Sequence, residues 1–280
     1  MRILVTGANG YLGQGIVTAL LDEGHEVIAL DLFTDNVDTR AEKINADIFN
    51  EKYPYECFGK PDAVFHLAWR DGFKHYSDKH FRDLPLHYSF LKGLVDAGVE
   101  KVAVMGTMHE VGFYEGSIDE FTPCNPMNLY GIAKDALRKS VQQLAEQNNV
   151  IFQWIRAYYI VGNSECGNSI FSKLTTAVKE GKTEFPFTTG QNQYDFIDYD
   201  EFCRYAAKIV SQNRVNGIIN CCSGKPEKLC DRVERFIKEN KYKIKLQYGM
   251  FPERKYDSLA VWGNNNKLKK IVGENKWKTG

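Results

Sequence analysis

Apolar and polar positions follow two alternating rhythms along the first 160 residues. Short, nearly continuous apolar runs occur at Ile3–Thr6, Val27–Leu30, Ala63–Leu67, Val102–Met105 and Ile151–Arg156. Between them lie helical patterns, as over Gly13–Glu23, His87–Ala97 and Tyr130–Glu146. Unbroken apolar runs mark strands buried on both faces, and strands alternating with helices predict a parallel sheet covered on each side. After Ile160 the pattern changes to loops, aromatic residues and short segments, as in Phe185–Tyr199. Gly217-Ile218-Ile219-Asn220-Cys221-Cys222 then resembles one more strand returning to the sheet, and Lys225–Lys245 is rich in Lys and Glu. No internal repeat or low-complexity tract interrupts the chain. The expected fold is an α/β doubly wound parallel sheet from residues 1–160 plus about 195–223. A small discontinuous C-terminal lobe, about 161–194 and 224–280, is expected to close over the ligand cleft.

The first strand, Arg2-Ile3-Leu4-Val5-Thr6, runs straight into a glycine-spaced turn, Gly7-Ala8-Asn9-Gly10-Tyr11-Leu12-Gly13, that opens a helix. A strand, turn and helix of this kind offer free backbone N–H groups to a pyrophosphate, which makes the sheet Rossmann-type. The spacing G-x-x-G-x-x-G is one residue longer than the usual dinucleotide fingerprint. Asp31 ends the second strand, 18 residues after Gly13. A carboxylate there accepts hydrogen bonds from adenosine ribose hydroxyls and repels a 2′-phosphate, which favours NAD(H) over NADP(H). The plainer alternative is that Asp31 caps the next turn.

Composition removes several function classes. Of 280 residues, 43% are hydrophobic and 26% charged, and Lys+Arg and Asp+Glu both number 36, so no charge excess points to nucleic acid or an anionic membrane. The seven cysteines form no C-x-x-C pair and no metal-ligand spacing, and adjacent Cys221-Cys222 suit a buried strand better than a disulfide. No stretch is long and apolar enough to span a bilayer, and the first strand begins at residue 2, leaving no room for a signal peptide. A cytoplasmic protein with no metal site is the expectation.

Tyr130-Gly131-Ile132-Ala133-Lys134 places a phenol and an ammonium at i and i+4, on one face of a helix. A neighbouring cation favours the phenolate and would bring Tyr130 toward the working range of a general acid/base. Thr107 follows the Val102–Met105 strand at the edge where ligands bind, and its hydroxyl could bond a substrate carbinol or carbonyl. Its alternative role is to cap a turn.

With these residues together the chain resembles the extended short-chain dehydrogenase/reductases that act on nucleotide sugars, the NAD-dependent epimerase/dehydratase family. Thr6 to Gly13 matches T-G-x-x-G-x-x-G, His66-Leu67-Ala68 matches H-L-A, and Thr107, Tyr130 and Lys134 match the Ser/Thr, Tyr and Lys of its catalytic set. Arg156 to Gly162, Gly190 to Asp200, Arg254 to Asp257 and Asn266-Lys267 resemble later landmarks, so the likeness spans nearly the whole chain. It implies NAD as cofactor, NADP being possible, bound by Gly7, Asn9, Gly10, Tyr11, Leu12, Gly13, Asp31, Asp47, Ile48, Leu67, Ala68, Tyr130 and Lys134. It also implies that Lys134 lowers the pKa of Tyr130 while hydride moves between nicotinamide and sugar.

Departures narrow the reaction. Family dehydratases carry Thr-Asp-Glu where this chain has Thr107-Met108-His109, and Met108 cannot supply the acid or base that elimination needs. His109 could titrate near neutrality and serve at C3 or C5, or only bond the sugar. His87 stands where the family has an Asn, and Tyr194 where it has an Arg. Trp69, Lys74, Thr107, His109, Asn168 and Arg254 are the expected substrate contacts. The implied activity is a nucleotide-sugar 4-ketoreductase or 4-dehydrogenase, with Tyr130 as general acid/base. The alternatives are a 4-epimerase, a 3/5-epimerase using His109, and a non-catalytic dinucleotide-binding module. The resemblance further implies a homodimer through two helices per subunit, His87–Ala97 and Tyr130–Glu146.

Overall fold

A computed structural model describes residues 1–50, 55–162, 169–252 and 258–273. The chain begins β1 (Arg2–Thr6), α1 (Tyr11–Asp22), β2 (Glu26–Asp31), β3 (Glu42–Asn45), β4 (Ala63–His66), α2 (Lys79–Asp96), β5 (Lys101–Thr107) and β6 (Gly116–Ile118). It continues α3 (Leu129–Asn148), β7 (Ile151–Ala157), β8 (Tyr159–Val161), α4 (Ile170–Lys179), β9 (Glu184–Pro186), β10 (Gln193–Asp198) and α5 (Tyr199–Val210). It ends β11 (Gly217–Cys221), β12 (Pro226–Lys228), α6 (Leu229–Glu239), β13 (Lys245–Gln247), β14 (Ala260–Gly263) and α7 (Asn266–Val272).

Among the described residues the main sheet has seven parallel strands in the order β11-β7-β5-β4-β1-β2-β3. Strand order reverses after β1, so the carboxyl ends of β1 and β4 border the crevice where such sheets bind ligands. Central strands read as continuous apolar runs because both faces are covered. On one side Ile3, Val5, Ala29, Phe65 and Ile155 pack with α1 and α5 residues such as Ile16, Leu20, Phe202 and Ala206. On the other, Leu4, Ile28, Val64, Val102 and Trp154 pack with Phe90, Leu91, Leu94 and Leu137 of α2 and α3. The expected return strand is β11, with Cys221 and Cys222 fully buried.

Two elements depart from the periodicity. Strand β3 has a single apolar residue, Ile44, because it is an edge strand paired only to β2. Helix α2 starts at Lys79 rather than His87 and carries Pro85 within it. The smaller sheet, β12-β10-β14-β6 with β8 on β10, covers a third core of Phe171, Phe187, Tyr194, Phe196, Val233 and Phe236. Asp195 staples this layer: its buried carboxylate accepts N–H bonds from Ser223, Gly224 and Gly263 at 2.8, 2.9 and 3.1 Å. Where an Arg was the family expectation, Tyr194 is buried and stacks on Tyr159 with ring centroids 4.5 Å apart.

Candidate active site

The glycine turn is forced by close approach. Gly7 has φ +68°, and a Cβ there would meet the Ala68 nitrogen at 2.7 Å. A Cβ on Gly13 would lie 2.1 Å from the Gly7 carbonyl oxygen, so helix α1 sits directly on the turn. Asp31, at the end of β2, accepts the Asn9 N–H at 2.9 Å and its neighbour Leu32 N–H at 2.7 Å. Both turn capping and orientation toward the crevice are therefore compatible with Asp31, since each carboxylate oxygen retains a lone pair. The Asn9 side chain accepts the Asn36 N–H at 3.0 Å, and its carbonyl accepts Gln14 Nε2 at 2.7 Å. Tyr11 packs its ring 4.5 Å from Tyr199, whose hydroxyl donates to the Tyr11 carbonyl and accepts the Gly15 N–H. Leu12 is half-buried against the core.

Neighbouring strand ends bring the remaining residues expected to meet the cofactor to the same edge. Leu67 and Ala68 donate their N–H groups to the Thr6 carbonyl and to Thr6 Oγ1, at 3.1 and 3.3 Å. Asp47 follows β3, is exposed, and accepts the Phe49 N–H at 3.0 Å, while Ile48 is half-buried against the core.

Thr107 ends β5 and caps the following turn, its Oγ1 accepting the His109 N–H at 3.2 Å, and its hydroxyl acts to lower the pKa of the Tyr130 phenol. Asn128 caps α3 by accepting the Gly131 N–H at 2.8 Å. Gly131 packs so tightly on this turn that a Cβ would stand 2.4 Å from the His109 carbonyl. One helical turn on, Lys134 is buried, donates to the Met105 carbonyl at 2.8 Å, and lies 3.9 Å from the Trp69 ring centroid and 6.0 Å from that of Tyr130.

The electrostatics correct one expectation. Burial pushes the Tyr130 phenol up to about 12; the Thr107 hydroxyl opposes the shift and the Glu110 charge adds to it. The lowering expected from Lys134 does not outweigh burial, and Lys134 is itself pushed down to about 7 by burial. His109 is a second correction. Burial and the nearby His75 hold it at about 4, so it is neutral at physiological pH rather than titrating there.

Trp69 is half-buried over Lys134, and Lys74 is exposed, its Nζ 3.8 Å from the Asp71 carboxylate. His75, His80 and His109 surround the Tyr130 ring at centroid distances of 5.4, 5.4 and 6.2 Å. Asn168 and Arg254 lie outside the described residues. Sequence reasoning missed His80 and Glu110, and within the segment Trp69 to His75, expected to border the sugar, it singled out Trp69 and Lys74 rather than His75. His80 sits at a helix start with no motif, and Glu110 works through Arg156 and Trp154, more than forty residues away. Among the described residues no cluster of His, Cys, Asp and Glu is suited to a metal ion, and no helix is long and apolar enough to cross a membrane.

Residues 3–222 match the NAD dependent epimerase/dehydratase family. The chain is 42% identical over 271 residues to dTDP-6-deoxy-L-talose 4-dehydrogenase (NAD(+)) of Aggregatibacter actinomycetemcomitans, covering 94% of this chain and 99% of that protein. Among solved structures it is similar to UDP-N-acetylglucosamine 4-epimerase from Methanobrevibacter ruminantium M1 in complex with UDP-N-acetylmuramic acid. That likeness has a TM-score of 0.84 and 19% identity, covering 97% of this chain and 91% of the other. UDP-glucuronic acid 4-epimerase from Bacillus cereus, in complex with UDP-glucuronic acid and NAD, gives a TM-score of 0.82 and 20% identity over 97% and 93%. The structural likenesses establish the fold, and the whole-length sequence match goes further: this chain belongs to the NAD-dependent epimerase/dehydratase family.

Proposed function

We propose that this chain is an NAD-dependent nucleotide-sugar oxidoreductase that interconverts a 4-hydroxyl and a 4-keto group on a deoxyhexose nucleotide. The convergence of Thr107, Tyr130 and Lys134 at one sheet edge carries the reading, in a chain so similar to a 4-dehydrogenase over that protein's length. The cradle at Gly7 and Gly13, which has no space for a Cβ, fits a dinucleotide. The α1 N-terminus would face the diphosphate, Asp31 the adenosine ribose, Asp47 and Ile48 the adenine, and Leu67 and Ala68 the nicotinamide side. Bound there, NAD+ supplies a hydride acceptor at C4 of its nicotinamide.

In the oxidative direction Tyr130, as phenolate, takes the proton of the sugar 4-hydroxyl. The C4–H bond breaks as hydride leaves, and the C4–O bond becomes a carbonyl. In reverse Tyr130 donates that proton to the oxyanion. Thr107 holds the reacting oxygen, and the Lys134 ammonium favours the phenolate against the effect of burial. Trp69, Lys74, His109, Asn168 and Arg254 would border the nucleotide sugar. The main sheet, from residues 1–160 and about 195–223, would hold the cofactor, with the remainder forming a substrate lobe joined by β6.

The test offers the chain dTDP-6-deoxy-L-talose and NAD+ and follows NADH absorbance. NADH formed in step with product supports the reading. Isomerised sugar without net cofactor change would replace it with a 4-epimerase. A homodimer through α2 and α3 is also proposed, on the exposed Phe81 and Ile132 those helices carry. Sedimentation at the monomer mass would overturn that. A cytoplasmic location is supported by cysteines that are free throughout the described residues.

A further inference from the structure

Trp69 stands three residues past the end of β4 and is gripped by two histidines of α2. Its ring lies parallel to His87, 7° between planes and 4.4 Å between centroids. Its Nε1–H donates to His80 Nδ1 at 3.1 Å, and His80 Nε2 lies 3.0 Å from the Lys74 carbonyl oxygen. An indole N–H only donates and a carbonyl only accepts, so His80 is the neutral Nε2–H tautomer with both nitrogens satisfied. His87 is in turn bonded to His66 at 2.9 Å, and His66 to Thr6 at 2.8 Å, which ties the grip to the sheet.

The Lys134 ammonium lies against this fixed ring. It is almost fully buried, yet no ion pair to it occurs among the described residues. The charged and titratable groups facing it are Tyr130 from its own helix, Glu110 from the turn after β5, His66 from β4 and His87 from α2. The Glu110 carboxylate is committed to Arg156 and Trp154. The two imidazoles are kept neutral, chiefly by burial. Among the described residues what remains close to the ammonium is the Met105 carbonyl at 2.8 Å and the Trp69 face at 3.9 Å, with the Tyr130 ring farther off at 6.0 Å. A desolvated cation–π contact is stronger than an exposed one.

We propose that Trp69 is a positioning residue for the Lys134 ammonium: its clamped indole face, with the Met105 carbonyl, sets where that charge stands relative to the Tyr130 phenol. The proposal deepens the reading of Lys134 as the active-site cation and rests on it for its consequence in turnover, though not for the contact itself.

The test is a double-mutant cycle in thermal stability on the full chain without added ligands, using Trp69→Leu, Lys134→Met and the pair. At about pH 6, where the amine is charged, the two effects are expected to be non-additive by a few degrees; at about pH 9 they become additive. Additivity at both pH values would overturn the contact. Equal coupling at both would show simple packing and overturn it equally. Should Trp69→Leu fail to fold, Trp69→Phe carries the same cycle with a smaller coupling, since phenyl is the weaker π face. In turnover, the alkaline limb of the pH profile is expected to move about one unit toward acid in Trp69→Leu and less in Trp69→Phe. A limb that does not move, alongside a pH-dependent stability cycle, would keep the contact and remove its part in catalysis. Because the stability cycle needs neither cofactor nor substrate, its result stands apart from any failure of the proposed activity.

Discussion

The buried Glu110 carboxylate accepts the Arg156 Nε–H at 2.7 Å, joining the turn that begins at Thr107 to the middle of the main sheet. Trp154 adds an indole N–H at 2.8 Å from the same strand, β7. Burial raises the Glu110 pKa and the Arg156 charge opposes the rise, so the carboxylate depends on this partner. The turn carrying Thr107 and His109 is thereby tied to two buried side chains of β7.

Removing one partner leaves a buried charge uncompensated. Glu110→Ala is expected to cost about 3–5 kcal/mol in urea unfolding, and Glu110→Leu with Arg156→Met to recover a large part of that loss. A double variant no more stable than the single would show that the pair does more than neutralise itself.

Gly13→Ala introduces a methyl where the Gly7 carbonyl already stands. NAD affinity measured by calorimetry should fall at least about tenfold, because the helix must move off the turn proposed to face the diphosphate. Unchanged affinity would remove this turn from the cofactor site.

Asp31→Asn removes the negative charge at the end of β2 while keeping a group that can accept the Asn9 N–H. The ratio of kcat/KM for NADP to that for NAD should rise roughly tenfold or more. No change in the ratio would assign Asp31 to turn capping alone.

Tyr130 is held protonated by burial, so oxidative turnover should climb with pH along the acid limb of its profile, by up to roughly tenfold per unit. Tyr130→Phe should abolish turnover and leave NAD binding in place. A rate in the variant within about tenfold of the parent chain would transfer the proton step elsewhere.

Lys134 titrates at about 7 in the folded chain, well below the ordinary lysine value of 10.5. Between those values the unfolded chain binds the proton and the folded chain does not, so this group makes stability rise with pH across that window. Below it the folded state carries the full cost of a buried ammonium. Lys134→Met should therefore raise Tm at pH near 7 by at least about 2 °C, with a smaller gain near pH 10. A gain independent of pH would contradict the depressed pKa.

Much of the fold was readable because the central strands are buried on both faces and must be apolar throughout. Strands β1, β2, β4, β5, β7 and β11 all announced themselves in that way. Strand β3 did not, because an edge strand with the sequence Glu42-Lys43-Ile44-Asn45 needs only one apolar side chain. The early start of α2 was hidden by Pro85, which argues locally against a helix and is overruled here by packing of His80, Asp83 and His87 against the site.

The sequence alone singled out the candidate residues, since the glycine spacing, Asp31, Thr107, Tyr130 and Lys134 are local patterns with local physical reasons. It also determined the sheet, through strand burial. Only the tertiary structure decided how those groups are charged. Tyr130 and Lys134 share a helix face, yet burial moves the phenol up and the ammonium down, and the neutral state of His109 follows from its surroundings. Nor could chain order show that Trp69, His80 and His87 would meet over Lys134, or that Glu110 would find Arg156. Desolvation and long-range pairing depend on which segments exclude water from one another, and that is a property of the folded chain.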